Sequence, residues 1–356
     1  MELDSIHFYV GDATRTRDFF SCQMGLLALD NAVVPSHQRL RIDRMGAQTL
    51  VHLVGNSELL FSIASPLEAS SPVAEYLQLH PSGVKDVSFR VPDLAEIRRR
   101  IDRLGVKVLA TSAALDESQW LIIQGWGAIE HTIIQAQPAA TAREDRHEQI
   151  IGIDHIVLNV AAGELDLAAN WYRDLFDFQV QQTFEIQTQT SGLASKALIS
   201  ACGKIRFNIN EPSSSNSQIQ EFLDLNHGAG IQHIALQTQD IWTTIDRMQQ
   251  QELRFLPIPP TYYANLQHRA RSEQNLLLTN GEWQQLERLQ ILMDWSVSTP
   301  EQILLQIFTQ PIFESPTFFF EIIERRNRAT GFGQGNFQAL FEAIEEYNIS
   351  NLDLSR

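Results

Sequence analysis

The chain has 356 residues, of which 44% are hydrophobic and 20% are charged, as is typical of soluble globular proteins. This length favours two domains, each large enough to bury a core of its own. The formal net charge of −16 argues against a nucleic-acid-binding groove, because contacts to phosphates need clustered Lys and Arg side chains.

The first residues and the apolar segments predict the location of the protein. The N-terminus is acidic and polar, with no basic region ahead of an apolar segment, so no signal peptide is predicted. No apolar run reaches the roughly 18 residues that cross a bilayer. We therefore expect a cytoplasmic protein that does not bind membranes. Cys22 and Cys202 lack CxxC spacing and are expected to be reduced and structural.

The elements at the start of the chain recur later in it. Residues 5–26 predict a strand, a turn and a helix that carries two adjacent aromatic residues, and residues 155–178 predict the same elements. Residues 84–109 predict a strand, a turn and an amphipathic helix, and residues 231–256 match them. The chain therefore contains two kinds of unit in the order A, B, A, B.

Each unit continues into further strand-like segments, which makes a βαβββ module. Two such modules can close one curved sheet, an open barrel around a cleft, so the four modules predict two domains of the α+β class. The boundary is predicted at AQPAATAREDRHEQ, where small, charged and Pro residues replace the periodic pattern. We predict an N-terminal domain at 1–135, a linker at 136–149 and a C-terminal domain at 150–356.

Further elements are predicted after the fourth helix. The prolines of FLPIPPTYYANL, residues 255–266, indicate a loop. Residues 282–295 predict a short helix that leads into a strand, and 303–310 and 317–325 predict two more strands. GNFQALFEAIEEY, residues 335–347, has apolar residues at helical spacing and predicts a C-terminal helix.

Three polar residues interrupt apolar strands of the C-terminal half. His233 lies in the strand GAGIQHIAL, and such a histidine is usually a core residue whose ring nitrogens are satisfied. The same construction recurs around His155, and Glu321 interrupts a third apolar strand. Two neutral imidazoles and one carboxylate form the facial set that binds non-haem Fe(II) and leaves positions open for substrate and dioxygen.

The N-terminal half serves as an internal control for this metal site. Aligning the repeated strands places three pairs of residues opposite one another: Ser5 with His155, Asp86 with His233, and Thr132 with Glu321. A structural need of the fold would be expected in both halves, so the contrast favours a metal role for His, His and Glu. We expect no metal site in the N-terminal domain.

Polar and aromatic side chains near the proposed ligands are candidates for substrate binding. Amides beside a metal offer donors and acceptors without adding charge, and phenylalanines can flank a ring. Solvent-facing amides and ordinary core phenylalanines are the alternative interpretation. The candidates are Ser195, Asn210, Gln218, Gln232, Gln306, Phe308, Phe319, Phe332 and Phe337.

The motifs of the C-terminal half resemble those of the 4-hydroxyphenylpyruvate dioxygenase family in the vicinal oxygen chelate superfamily. They are IDHIVLNV, SGLASKALIS, NINEP, SQIQEFL, GAGIQHIAL, FLPIPPTYY, LLQIFTQP, FFFEIIER and GFGQGNFQALFEAIE, in this order. The resemblance covers roughly residues 150–347, and the first half fits mainly through the repeat. It implies the vicinal oxygen chelate fold in both domains.

The resemblance also implies an activity, a cofactor and site residues. The activity is the conversion of 4-hydroxyphenylpyruvate and O2 into homogentisate and CO2 by an Fe(II) enzyme of tyrosine catabolism, in this family a homodimer. The implied metal ligands are His155, His233 and Glu321. The implied catalytic residues are Asn210, Gln218, Gln232 and Gln306. The implied substrate-binding residues are Ser195, Phe308, Phe319, Phe332, Asn336, Phe337 and Leu340.

Two departures from the family pattern bear on the pocket. Asn208 stands where the family usually has Pro in the strand before NEP, and this could alter the pocket shape. WSVSTPEQ, residues 295–302, is expected to lengthen a surface turn. Two alternative functions stay open, since function lives in the site rather than the fold. One is 4-hydroxymandelate synthesis from the same substrate, and the other is ligand binding without catalysis.

Overall fold

The computed structural model describes residues 1–30, 42, 45–56, 58–112, 119–136, 149–187, 192–214, 216–273, 278–336 and 339. The strands of the first sheet, called the N-terminal sheet, are β1 (Glu2–Tyr9), β2 (Leu27–Leu29), β3 (Thr49–Gly55), β4 (Leu60–Pro66), β5 (Gly83–Val91), β6 (Val108–Thr111), β7 (Trp120–Gln124) and β8 (Glu130–Gln135). The strands of the second, called the C-terminal sheet, are β9 (Ile150–Asn159), β10 (Phe178–Gln187), β11 (Gly192–Ser200), β12 (Arg206–Pro212), β13 (Gly230–Thr238), β14 (Leu292–Ser296), β15 (Thr299–Phe308) and β16 (Phe319–Arg325).

The two sheets have the same topology. The strand order is β2-β3-β4-β1-β5-β8-β7-β6 in the N-terminal sheet and β10-β11-β12-β9-β13-β16-β15-β14 in the C-terminal sheet. The second order is the first with eight added to each number. In the N-terminal sheet, β1 pairs with β4 in parallel and with β5 in antiparallel orientation, so two modules meet at that antiparallel pair. The predicted fold class, paired βαβββ modules, is confirmed.

The helices connect these strands. They are α1 (Ala13–Cys22), α2 (Pro72–Leu77), α3 (Leu94–Leu104), α4 (Leu165–Phe176), α5 (Gln218–Asn226), α6 (Ile241–Gln250), α7 (Pro260–Ser272) and α8 (Asn280–Leu289). Short 3-10 turns follow at Arg326–Arg328 and Gln334–Asn336. Among the described residues, no helix is long and apolar enough to span a bilayer.

The sequence repeat extends to the helix starts. Asp12, Asp93 and Asp240 precede α1, α3 and α6, and each carboxylate accepts a hydrogen bond of 2.9 to 3.1 Å from the backbone N–H three residues on. Ser71 and Ser217 precede α2 and α5 and accept from the N–H two residues on. Each cap satisfies an N–H that the helix itself leaves unpaired, so it fixes where the helix begins.

One element differs from its prediction. The segment 255–266 was expected to be a loop, but α7 begins at Pro260 and includes Tyr262 and Tyr263. Proline at the first position of a helix loses no hydrogen bond and has the φ that the helix needs. The prolines therefore exclude a strand, as predicted, but they start a helix instead of continuing a loop. Most of the predicted C-terminal helix, 335–347, lies outside the described residues.

Contacts group the chain into two compact units, each with an apolar core. One comprises Met1–Glu148, His155–His233 and Phe313–Phe318, and the other comprises Gln149–Asp154, Ile234–Ile312 and Phe319–Arg356. In the first unit, the Phe8 ring lies 5.3 to 5.6 Å from three other rings, those of Phe20, Phe61 and Phe318. In the second unit, buried residues form an apolar cluster: Ala235, Leu304, Ile323 and Ala329. The domain bounds inferred from the sequence stay a prediction.

Candidate metal centre

Three potential metal ligands converge on neighbouring strands of the C-terminal sheet. His155 lies on β9, His233 on β13 and Glu321 on β16, and these strands are adjacent in the order β9-β13-β16. One ligand atom from each lies within 4.8 Å of the others. All three are buried, with 3%, 8% and 2% of their surface exposed. In the described part of the chain, no other group of three or more His, Cys, Asp or Glu residues lies close enough together to hold a metal ion.

The two imidazoles are suited to donate lone pairs. Their ring centroids are 5.8 Å apart and the rings are nearly perpendicular, at 78°. Burial lowers the pKa of His233 well below its ordinary value, and the nearby His155 lowers it further, so the ring is neutral at neutral pH. Nδ1 of His233 lies 3.3 Å from Oε1 of Gln232. When Nδ1 donates to that oxygen, Nε2 keeps its lone pair for a metal.

Amide side chains hold the carboxylate of Glu321. Gln306 on β15 donates through Nε2 to Oε1 of Glu321 at 2.7 Å and contacts the Phe332 carbonyl at 3.3 Å. Asn336 donates through Nδ2 to Oε1 of Gln306 at 2.8 Å. Gly333, at φ +71°, passes so close that a Cβ there would overlap the Gln306 amide, so this approach requires glycine.

The donor set fits a divalent cation. Two neutral imidazoles and one carboxylate carry a single negative charge, and a buried charge needs a partner of opposite sign. The neighbouring amide of Gln306 is neutral. A 2-His-1-carboxylate set with open positions is the ligand chemistry that non-haem Fe(II) takes. The residues present therefore fit iron.

A row of polar side chains crosses three strands on the face that carries His155. Ser195 of β11 pairs with Asn210 of β12, which pairs with Asn159 of β9. Asn159 is four residues from His155, so both side chains point to the same face of the sheet. Nδ2 of Asn210 donates to Oδ1 of Asn159 at 3.3 Å. Two buried atoms of this row, Asn159 Nδ2 and Ser195 Oγ, have no partner within the described part of the chain, and neither has Oδ1 of the nearby Asn208.

The other predicted pocket residues lie on several elements. Phe308 of β15 and Phe319 of β16 are buried, with ring centroids 6.1 Å apart and nearly perpendicular planes. Gln218 is the buried first residue of α5. The Phe332 ring lies 5.9 Å from the Arg325 guanidinium. Phe337 and Leu340 lie outside the described residues.

Comparisons with known proteins identify the family. A sequence profile of the Glyoxalase/Bleomycin resistance protein/Dioxygenase superfamily matches residues 152–270. The 4-hydroxyphenylpyruvate dioxygenase of Yarrowia lipolytica is 31% identical to the chain over 372 residues, which cover 96% of this chain and 91% of the relative. The chain belongs to the 4-hydroxyphenylpyruvate dioxygenase family.

Two further matches extend over nearly the whole chain. An uncharacterised protein of Synechocystis sp. is 36% identical over 346 residues, 97% of each chain. Among solved structures, a mutant of 4-hydroxymandelate synthase from Streptomyces coelicolor matches with a TM-score of 0.82 and covers 98% of each chain. Its identity is 24%, so it shows a shared fold and no more. These two matches extend the similarity, in sequence and in fold, along nearly the whole chain.

The structure also shows residues beside the metal centre that the sequence analysis missed. Asp154 directly precedes His155 in the sequence. The Arg325 guanidinium donates to both carboxylate oxygens of Asp154, at 2.6 and 2.7 Å. The same guanidinium donates to the carbonyls of Ala329 and Gly331 at 3.0 and 2.8 Å. In the sequence, the position of Asp154 next to the predicted ligand His155 could have indicated its role. Tyr262, in the motif FLPIPPTYY, is the other missed residue, and its hydroxyl donates to Asn336.

In this family member, the N-terminal counterparts of the ligands bond to one another and to neighbouring polar groups. Thr132 Oγ1 donates to Asp86 at 2.9 Å, and Ser88 Oγ donates to the other carboxylate oxygen of Asp86 at 2.6 Å. Ser5 Oγ lies 3.0 Å from an Asp4 oxygen and 2.9 Å from Nε2 of His7. These bonds form two polar sets, one around Asp86 and one around Ser5, in contrast to the convergent His, His and Glu group of the C-terminal sheet.

Proposed function

We propose that the protein is an Fe(II)-dependent dioxygenase that converts 4-hydroxyphenylpyruvate and O2 into homogentisate and CO2. The observation that carries this proposal is the buried convergence of His155, His233 and Glu321 within 4.8 Å, in a chain of the 4-hydroxyphenylpyruvate dioxygenase family. Fe(II) held by these residues would polarise the 2-oxo acid and supply the redox chemistry that dioxygen requires.

The protein side chains then bind, orient and shield the substrate. Gln306 donates to one oxygen of Glu321, and a carboxylate oxygen of Glu321 lies within 4.8 Å of the ligand atoms of both histidines. Phe308 pairs with Glu321 across β15 and β16, and buried Phe308 and Phe319 are proposed to exclude water from this side of the centre. A dry site strengthens each electrostatic contact to the bound acid.

The polar row supports an aromatic substrate with a polar far end. Asn159 lies four positions after His155 on the extended strand β9, a distance of about 13 Å at 3.3 Å per residue. That span suits an extended aromatic 2-oxo acid bound to a metal through its acid end. Ser195 Oγ and Asn159 Nδ2 lack partners within the described chain, and a phenol can both donate to one and accept from the other.

The remaining predicted roles follow from these positions. In the proposal, Asn210 and Gln218 orient the phenol, Gln232 and Gln306 orient the groups next to the metal, and Asn336 supports Gln306. Phe337 and Leu340 are proposed to close the pocket. We also propose that the protein acts as a homodimer in the cytoplasm, which sedimentation velocity of the purified protein and cell fractionation test.

A single-turnover reaction tests the function. Anaerobic protein loaded with Fe(II) and 4-hydroxyphenylpyruvate is mixed with O2, and the products are separated by chromatography. Homogentisate should be the main product. Predominant 4-hydroxymandelate would show a reaction on the side chain instead, a change that an altered ring position next to Asn208 could produce. Unchanged substrate with iron bound would contradict any dioxygenase function and favour a binding protein.

A further inference from the structure

A chain of hydrogen bonds runs from the proposed metal ligand Glu321 to Tyr262 of α7. Gln306 Nε2 donates to Glu321 at 2.7 Å, and Asn336 Nδ2 donates to Gln306 Oε1 at 2.8 Å. The Tyr262 hydroxyl donates to Asn336 Oδ1 at 2.7 Å and accepts from the backbone N–H of Met293 at 2.9 Å. Four successive bonds thus connect a fixed backbone donor on β14 to the carboxylate.

The two ends of this chain determine its direction. A backbone N–H can only donate and an ionised carboxylate can only accept. The phenol has a single proton, and its contact to Asn336 Oδ1 is shorter than its 3.1 Å contact to the Met293 carbonyl. Burial raises the pKa of Tyr262, so the hydroxyl keeps this proton at neutral pH. Every bond therefore points towards Glu321.

This direction matters because both intermediate side chains are amides. An amide has a donor end and an acceptor end of nearly the same shape, and it can turn over without a steric penalty. If Asn336 turned over, its Oδ1 would face Gln306 and demand the donor end of that amide. Gln306 would then present its carbonyl oxygen to the Glu321 carboxylate, and the two oxygens would repel each other.

We propose that Tyr262 is a positioning residue of the metal centre, whose hydroxyl fixes the orientation of Asn336 and Gln306 so that an N–H faces Glu321. The inference rests on the metal site of the proposed function, though not on the substrate. Groups that bond to metal ligands from outside typically contribute 10- to 100-fold to metal affinity. Tyr262 acts through two intermediates, so we expect the lower end, about 10-fold.

The adjacent Tyr263 provides a matched control. It is buried on the same helix, with its ring 5.1 Å from that of Tyr262 and perpendicular to it. Its hydroxyl has no hydrogen-bond partner within the described part of the chain. Replacing either tyrosine by phenylalanine removes one hydroxyl and leaves the ring in place. The two variants therefore differ in the hydrogen-bond chain and in little else.

The test compares Tyr262→Phe with Tyr263→Phe in the full-length protein. Each variant and the parent are stripped of metal and titrated with Co(II), and the absorption bands of the bound ion report the amount bound. Thermal melting checks that both variants fold. Tyr262→Phe should bind Co(II) about 10-fold more weakly than the parent, whereas Tyr263→Phe should stay within about two-fold. Equal affinities of both variants and the parent would overturn the proposal, as would a parent protein that binds no Co(II).

A double variant separates this positioning role from a general loss of packing. Adding Tyr262→Phe to Asn336→Ala should weaken Co(II) binding no further, because the link to Gln306 is already broken. Independent, additive losses would contradict the chain. The titration needs no substrate, so it is distinct from the test of function. A protein that makes no homogentisate but loses Co(II) affinity in Tyr262→Phe would retain the inference and lose the proposed reaction.

Discussion

The two sheets share one topology, but an equivalent row of paired residues carries different side chains in each sheet. In the N-terminal sheet the row is Val51, Ala64 and Tyr9; in the C-terminal sheet it is Ser195, Asn210 and Asn159. The N-terminal row belongs to an apolar cluster that Met45 and Val73 complete. The C-terminal row leaves two buried polar atoms without partners within the described chain. One sheet uses this position to pack its core, while the other keeps polar groups there at a cost in stability.

The same contrast holds at the candidate metal centre. The histidines and the glutamate of the C-terminal sheet converge, whereas Ser5, Asp86 and Thr132 in the N-terminal sheet bond to neighbouring polar groups. Duplicated modules can therefore keep a fold while their inward side chains serve either packing or binding. This difference is evidence for function, because the fold alone requires neither a metal set nor unpaired polar atoms.

The largest effect is expected from removing a ligand. His233→Ala should weaken metal binding by more than about 100-fold, since even groups outside the ligand set contribute 10- to 100-fold. Metal analysis of the purified variant measures this loss. Asp86→Asn, at the equivalent strand position of the N-terminal sheet, should retain one metal ion per chain. Full retention of metal by His233→Ala, or a second tightly bound ion near Asp86, would break the comparison.

A smaller effect is expected when a polar group is placed in the apolar row. Val51→Ser should lower the free energy of unfolding by about 1 to 3 kcal/mol, because it buries an unpaired hydroxyl and removes two methyl groups. Chemical denaturation measures the change. The Michaelis constant for 4-hydroxyphenylpyruvate should not change. A large increase in that constant would mean that the N-terminal row also contributes to binding.

The reciprocal change places an apolar side chain in the polar row, which should raise stability and weaken substrate binding. Ser195→Val removes a buried hydroxyl without a partner in the described chain, so it should stabilise the free protein by up to about 1 kcal/mol. It should raise the Michaelis constant about five- to ten-fold, the value of one neutral hydrogen bond to the substrate. Steady-state kinetics and melting curves test both signs. A loss of stability with unchanged kinetics would show that Ser195 is only a core residue.

The smallest effect concerns a buried imidazole of the N-terminal sheet. Nδ1 of His131 lies 2.9 Å from the Val87 carbonyl and Nε2 lies 3.0 Å from the Tyr172 hydroxyl, so both nitrogens are already bonded. Burial lowers the pKa of His131, so the folded protein keeps it neutral while the unfolded chain protonates below pH 6.5. Stability therefore falls as pH falls, by up to about 0.7 kcal/mol between pH 7 and pH 6.

His131→Gln tests this by removing the titration. Its free energy of unfolding should depend less on pH between 7 and 6 than that of the parent, and the other histidines cancel in the difference. An identical pH dependence would show that His131 takes up protons equally in the folded and unfolded states, so that burial does not lower its pKa. His131 would then not be a neutral histidine that the N-terminal sheet uses for packing, in contrast to His155 and His233 of the C-terminal sheet.

Local patterns sufficed to predict most of the elements. Strands and helices follow from apolar periodicity, which depends on residues close in sequence. The prediction failed at 260–266, where the prolines predict a loop although Pro260 starts α7. Residue chemistry also drew attention to His155, His233 and Glu321, and the family motifs added the pocket residues. Their individual roles stay predictions.

The sequence by itself determined the four modules, their order and the residue types available for a metal, because repeat, periodicity and ligand chemistry are properties of the chain alone. Only the tertiary structure decided which side chains share a row, since strand register depends on pairing between segments far apart in sequence. It also decided that Tyr262 and Met293 reach Glu321 through Asn336 and Gln306. No spacing along the chain encodes a path of hydrogen bonds, because each link depends on atoms that folding brings together.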